Sequence, residues 1–362
     1  MEVKDNEERE IANKEPINLN EFNCIIDDQT GKILNLPFCN YERGFTLIRC
    51  TLYAKKADKI LLGTNEGLYI CNSTTFKMEN VLDPASTDGW FYNRIDCTDS
   101  FFLFERKDGT ILTSAKGGTI KIYDLFKLQT IKEIILEDNG RNIYDGTELT
   151  NGKLVFAYDK YIYIYDGKTF ELINKINASE STIYVVCSIN NNKFMTSSYD
   201  KPGLIFWKNE ENLITKEFRF NGIEITSRKK LIFDSEKNVI IIGLDTNILI
   251  IDGKKYNVIK NIIVGEGKFL YVTDLFLLER GSFIASNSEG KIFEYNGEYN
   301  LESQLNNYTN DYFQLRSESV DNIVFCNKCL MVTYRKHFIK VFKKSNEKKR
   351  ESKYYRSDYD SD

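Results

Sequence analysis

An apolar strand, a polar or glycine break, a second apolar strand, a turn and a third strand recur along this chain. Nothing else in the sequence narrows its possible folds as far. The clearest copy is "TILTSAKGGTIKIYDLFKLQTIKEIIL" from Thr110. Others are "KILLGTNEGLYICNSTTFKMENVL" from Lys59, "KLVFAYDKYIYIYDGKTFELINKI" from Lys153 and "KFMTSSYDKPGLIFWKNEENLITKEF" from Lys193. Then come "NVIIIGLDTNILIIDGKKYNVIKNI" from Asn238 and "SFIASNSEGKIFEYNGEYNLESQL" from Ser282, and a truncated "CLMVTYRKHFIKVFKK" from Cys329. The first apolar residue of each copy is Ile60, Ile111, Leu154, Phe194, Val239, Phe283 and Leu330, giving steps of 51, 43, 40, 45, 44 and 47 residues.

Steps of roughly 40–45 residues with about four strands per unit are the signature of a β-propeller blade. A fourth strand precedes the anchors, as in "GFTLIRCTLYA", "STIYVVCSI" and "VDNIVFCN". The expected fold is all-β: a single seven-bladed propeller of four-stranded antiparallel blades over 20–343. One such sheet has two apolar faces and cannot bury both alone, so blades must stack around an axis. The last copy lacks its outer strand, and an orphan strand pair, "FNCIIDDQTGKILNL" from Phe22, precedes the first copy. Part of that N-terminal segment is expected to complete the last blade and remove two open edges. Segments 1–19 and 344–362 are charged and aperiodic, and disorder is expected there.

"TSAKGGTIKIYDL" and "TSSYDKPGLIFWK" carry a small-residue step, an Asp or Gly turn and an Ile-x-[Ile/Phe]-[Tyr/Trp] strand. In these features the chain resembles the WD-repeat propeller family, in a degenerate form, over roughly Thr46 to Lys343. The family's Gly-His dipeptide is absent, since the only histidine is His337 and Lys336 precedes it. The family's Asp-His-Ser-Trp network therefore cannot form. Only Trp207 fills the terminal Trp position; Tyr123, Tyr165 and Tyr295 stand there elsewhere. "LLGTNEGLYI" is also similar to repeats of citron-homology and bacterial sensor propellers. "YDGK" at Tyr165–Lys168 and "IDGK" at Ile251–Lys254 look like docking motifs of ubiquitin-ligase receptor propellers. The plainer expectation is a tight Asp-Gly hairpin turn in which Gly supplies a positive φ.

Composition excludes several function classes. A net charge of −4 gives no electrostatic reason to expect nucleic acid or an anionic membrane. Met1–Glu10 is mostly charged, unlike a signal peptide, and no apolar run approaches the roughly 18–20 residues of a membrane span. The eight cysteines then read as reduced thiols, and the expected compartment is cytoplasmic or nuclear. The basic cluster Lys343–Arg350 reads as a solvated tail in preference to an import or anion-contact patch.

No catalytic constellation emerges. His337 sits in the apolar "KHFIKVF", without the positioned partner that general-base work needs. Cys326-Asn-Lys-Cys329 has no second CxxC for a zinc ribbon and no βαβ context for redox work. No Arg-Arg-Gly occurs, so phosphoinositide binding is not expected. Cofactors and metals are not expected either. "SSYDKPGLIFW" only loosely matches the sialidase Asp box, although 53 acidic residues leave converging carboxylates open. The expected function is a non-catalytic protein–protein interaction scaffold, binding proteins of a larger complex through rim loops. The rival is a propeller hydrolase of the glycosidase or lactonase type using carboxylates at the central channel.

Partner-binding candidates come from the connections between one blade and the next. They are Trp90 and Tyr92 in "LDPASTDGWFYNR", Arg141 and Tyr144 in "EDNGRNIYDG", and Tyr312 and Arg316 in "NYTNDYFQLR". Trp, Tyr and Arg dominate interface hot spots because each buries a large area while keeping a polar handle. The competing expectation is that Trp90–Tyr92 begin an inner strand and pack between blades, as alternation requires of at least one of them.

Overall fold

The computed structural model describes residues 22–28, 48–64, 67–83, 102–115, 117–136, 143–190, 192–198, 203–210, 213–221, 231–265, 270–306, 320–334 and 338–344. Among them, β1 (Phe22–Asp28) stands ahead of the first blade. Blade 1 is β2 (Ile48–Ala54), β3 (Lys59–Thr64), β4 (Leu68–Asn72) and β5 (Met78–Leu82). Blade 2 is β6 (Leu103–Glu105), β7 (Ile111–Ala115), β8 (Thr119–Asp124) and β9 (Gln129–Ile135). Blade 3 is β10 (Ile143–Glu148), β11 (Leu154–Tyr158), β12 (Tyr161–Tyr165) and β13 (Leu172–Asn177). Blade 4 is β14 (Ile183–Ser188), β15 (Lys193–Ser198), β16 (Gly203–Glu210) and β17 (Leu213–Asn221). Blade 5 is β18 (Leu231–Asp234), β19 (Val239–Gly243), β20 (Asn247–Asp252) and β21 (Val258–Ile263). Blade 6 is β22 (Val272–Leu277), β23 (Phe283–Asn287), β24 (Lys291–Tyr295) and β25 (Leu301–Asn306). Blade 7 contributes β26 (Val320–Cys326), β27 (Cys329–Tyr334) and β28 (Phe338–Lys344).

These strands form seven four-stranded antiparallel sheets in a ring. The sequence dictates the stacking. In β11 every residue of Leu154-Val155-Phe156-Ala157-Tyr158 is buried, because both faces of the blade meet a neighbour. Leu154, Phe156 and Tyr158 pack against Leu112 and Ile122 of blade 2. Val155 and Ala157 point the other way, into a core with Phe194 and Trp207 of blade 4. A continuous apolar run of this length is how a doubly covered strand reads in sequence. Among the described residues, seven such apolar clusters form, each shared by two adjacent blades. The cluster of Ile60, Leu62, Val324, Met331 and Val341 joins blade 1 to blade 7, where β2 lies against β26.

The outer position of blade 7 is taken by β1, paired antiparallel to β28 in the order β1-β28-β27-β26. Its register matches that of the other outer strands. In each blade the outer strand skips one residue just past its partner at the end of the third strand. The skipped residues are Glu79, Ile131, Ile173, Glu217, Ile259 and Glu302, and in β1 Ile25. A bulge there bends the strand and spoils the flat, unpaired edge that would template aggregation.

The turns after the third strands share one device. Asp124, Asp166 and Asp252 each accept two backbone N–H bonds from the turn at 2.7–3.1 Å, and Asn72 and Asn296 do the same. The glycine expectation needs correcting here. Gly167 and Gly253 do not take positive φ; the left-handed residues are Phe170 and Tyr256, at φ 58° and 57°. Glycine is required instead by clearance. A Cβ on Gly167 would lie 1.9 Å from the Gly152 carbonyl oxygen, and one on Gly253 2.7 Å from that of Asn238.

Candidate functional site

Antiparallel hairpins divide the turns between two rims. Turns joining first to second and third to fourth strands lie on one, called here the lower rim. Turns joining second to third strands, and the connections between blades, lie on the upper rim. Each inner strand therefore starts at the upper rim and runs down the wall of the channel.

Among the described residues, five inner strands bulge at their upper end, skipping Arg49, Tyr144, Tyr184, Thr273 and Asp321. The residues just before these, Ile48, Ile143, Ile183, Val272 and Val320, are buried at 0–1% exposure. The five skipped residues are half-buried. Bulges re-aim side chains and recur beside functional sites. Here they set five large or polar side chains at equivalent places around the mouth of the channel. Tyr144 and Tyr184 meet across blades 3 and 4 edge to face, with ring centroids 5.0 Å apart. Arg49 and Asp321 occupy the same position on adjacent strands of blades 1 and 7, across the ring from the tyrosines.

The next inner-strand residue in blades 3 and 6 is a buried aspartate. Asp145 accepts the N–H of Gly146 and that of Val186 in blade 4, both at 2.8 Å. Asp274 likewise accepts from Leu275 at 2.9 Å and from Ile323 of blade 7 at 2.6 Å. These carboxylates tie adjacent inner strands together. A charged acceptor holding two amides is a strong tie and is costly to cut.

The lower rim carries a second belt. Glu105 accepts the N–H groups of Lys55 and Lys56 from blade 1, and Glu148 that of Lys107 from blade 2. Lys107 Nζ donates to the Thr150 carbonyl at 2.7 Å, Asn190 to Asn238 at 3.1 Å, and Asn327 to Ser73 at 2.9 Å. Arg106 donates to the Gly167 carbonyl at 2.7 Å, pairs with Asp108 at 2.9 Å and covers the Phe170 ring. Blades 1 and 2 are joined further by Asp83, which accepts from Lys121 and Tyr123 at 2.8 Å and from Thr130. Burial opposes its ionisation, but these donors win and hold the carboxyl below its usual value of 3.8.

Of the sequence candidates, only Tyr144 is among the described residues, and the structure places it at the channel mouth. Trp90, Tyr92, Arg141, Tyr312 and Arg316 lie outside the described residues, as do His337 and the segments 1–19 and 345–362. Tyr184 was not singled out. Aligning "NIYDG" with "TIYVV" would have found it, since both tyrosines follow the first buried isoleucine of an inner strand. Cys326 and Cys329 face each other at the end of the β26–β27 hairpin, around Asn327 and Lys328 at φ 49° and 61°. Burial pushes the Cys326 thiol up to about 12 and raises that of Cys329 as well. Trp207 donates its indole N–H to Thr196 at 2.9 Å.

No family model matches the sequence, and no curated protein matches it. Among the described residues, no helix is long and apolar enough to cross a membrane. The fold and the channel mouth therefore carry the functional argument.

Proposed function

We propose that this propeller is a non-catalytic interaction scaffold of the WD-repeat type that docks protein partners at the upper rim, around Tyr144 and Tyr184. One observation supports this above others. The buried inner-strand carboxylates, Asp145 and Asp274, are spent on backbone amides of the neighbouring blade. A hydrolase needs such groups turned toward a substrate. The half-buried side chains at the mouth are a tyrosine pair on one side and Thr273, Asp321 and Arg49 on the other, and Tyr and Arg are the residues that dominate interface hot spots. Buried cysteine side chains at Cys50, Cys71, Cys187, Cys326 and Cys329 suit a reducing compartment, cytoplasm or nucleus.

The test is affinity capture from the native cell with the wild-type chain and a Tyr144→Ala/Tyr184→Ala variant. The wild type should recover a stoichiometric protein partner that the folded variant loses. Equal recovery by both would remove the tyrosines from the interface. Turnover of a glycoside or lactone that Asp321→Asn abolishes in a folded protein would establish the hydrolase.

A further inference from the structure

The net charge of −4 conceals an uneven distribution on the lower rim. In blades 7, 1, 2 and 3 the turn tips carry exposed Lys328, Lys55, Lys56, Lys107, Lys127 and Lys168. Apart from exposed Glu171, whose contact is with the Thr169 hydroxyl, the acids of the same sector are engaged within the protein. Asp58 accepts the Tyr53 and Ser73 hydroxyls, Glu79 pairs with Lys59 at 2.7 Å, and Asp108 pairs with Arg106. Asp124 and Asp166 accept the backbone N–H groups of their own turns, and Asp124 also pairs with Lys127 at 3.4 Å. Lys107 donates its Nζ hydrogen bond to the Thr150 carbonyl. In blades 5 and 6, by contrast, Glu236, Glu279 and Glu298 are interspersed with the basic residues and exposed.

An apolar tip stands in the middle of this basic sector. Phe126, in the turn between β8 and β9, is 73% exposed, the most exposed large apolar side chain among the described residues. Lys127 and half-exposed Leu128 follow it, the latter at 44%. The turn that presents them is held by Asp124, which accepts the Phe126 and Lys127 N–H groups at 2.9 and 3.1 Å. β28 (Phe338–Lys344) also ends on this rim, with Lys343 exposed next to its last residue.

We propose that the lower rim of blades 7, 1, 2 and 3 docks on an anionic lipid bilayer, with Phe126 and Leu128 entering the headgroup layer. Lysines spread across one plane attract a negatively charged membrane surface. An exposed aromatic side chain adds apolar burial at the interface. The charges come from the tips of separate turns at inner and outer radii of one ring. That arrangement suits a broad flat surface better than a single peptide lying in a groove. The surface is distinct from the upper rim, so one docked face leaves the other open to protein.

The test is co-sedimentation of the full chain with phosphatidylcholine vesicles, with and without phosphatidylserine, at low and high salt. Binding should require phosphatidylserine and fall with salt. Lys55→Glu/Lys127→Glu/Lys168→Glu should weaken it at least about tenfold, and Phe126→Ser about threefold, with unchanged melting temperatures. Equal sedimentation with both vesicle types, or no effect of the charge reversals, overturns the proposal. So does binding to a polyglutamate peptide without binding to vesicles, which would assign the rim to an acidic protein. Tyr144→Ala/Tyr184→Ala should bind vesicles like the wild type, which separates this proposal from the upper-rim reading.

Discussion

Asp83 shows how a single side chain can fasten two blades. Its carboxylate takes hydrogen bonds from Lys121, Tyr123 and Thr130 of blade 2, and its pKa is lowered in the folded state. A carboxyl with a lowered folded pKa stabilises above its unfolded value, near 3.8, and loses that contribution as pH falls through the folded value. Asp83→Asn should therefore be less stable than the wild type in urea at pH 7. The gap should close as the pH drops below about 4; a pH-independent gap would assign the effect to packing. Asp145→Ala and Asp274→Ala should each cost about 2–4 kcal/mol, because each leaves two buried amides without their acceptor. Chemical denaturation checks this, and a loss under about 1 kcal/mol would mean water replaces the carboxylate. A Trp207→Phe/Thr196→Val double-mutant cycle should show about 1 kcal/mol of coupling through the indole hydrogen bond. At this scale the sequence showed Trp207 through its place in the repeat. It did not show Asp145 or Asp274, because the amides they hold belong to other residues of the inner strands.

Strands were legible wherever both faces are covered, and turns were legible in type but not in cause. The runs in β7, β11, β19 and β23 are buried throughout, so their apolar residues stand out. That same saturation shifted one anchor. Val239 is the first apolar residue of its copy, yet it pairs with Asp252, whereas Ile111, Leu154 and Phe283 pair with the tyrosine before the turn. Ile240, opposite Ile251, is the true equivalent. The outer-strand bulges left no trace in the sequence, since a one-residue slip on a largely exposed strand changes no apolar pattern. For the Asp-Gly turns, two explanations now separate cleanly. Gly167→Ala and Gly167→Asn should both cost about 1–3 kcal/mol through the clash with the Gly152 carbonyl. An account based on positive φ would instead have Asn tolerated. Melting curves of the two variants decide between them.

At the scale of the molecule, the blade count followed from repeat length because each blade is one unit that needs its neighbours. How the ring closes was less open to reading. The N-terminal strand is separated from β28 by nearly the whole chain, and the missing outer strand of the last copy and the orphan strand pair from Phe22 pointed to the pairing. In the structure Asn23 lies opposite Lys343, and β1 bulges at the place where the other outer strands do. One continuous ring, with β1 paired to β28, is what holds the two proposed docking rims apart. The most direct measurement is chemical cross-linking of Asn23→Cys/Lys343→Cys with a short bis-maleimide, followed by peptide mapping. A linked peptide pair containing positions 23 and 343, formed within one chain at a yield independent of protein concentration, is the outcome this account requires. Absence of that pair, or its appearance only between chains, would contradict it.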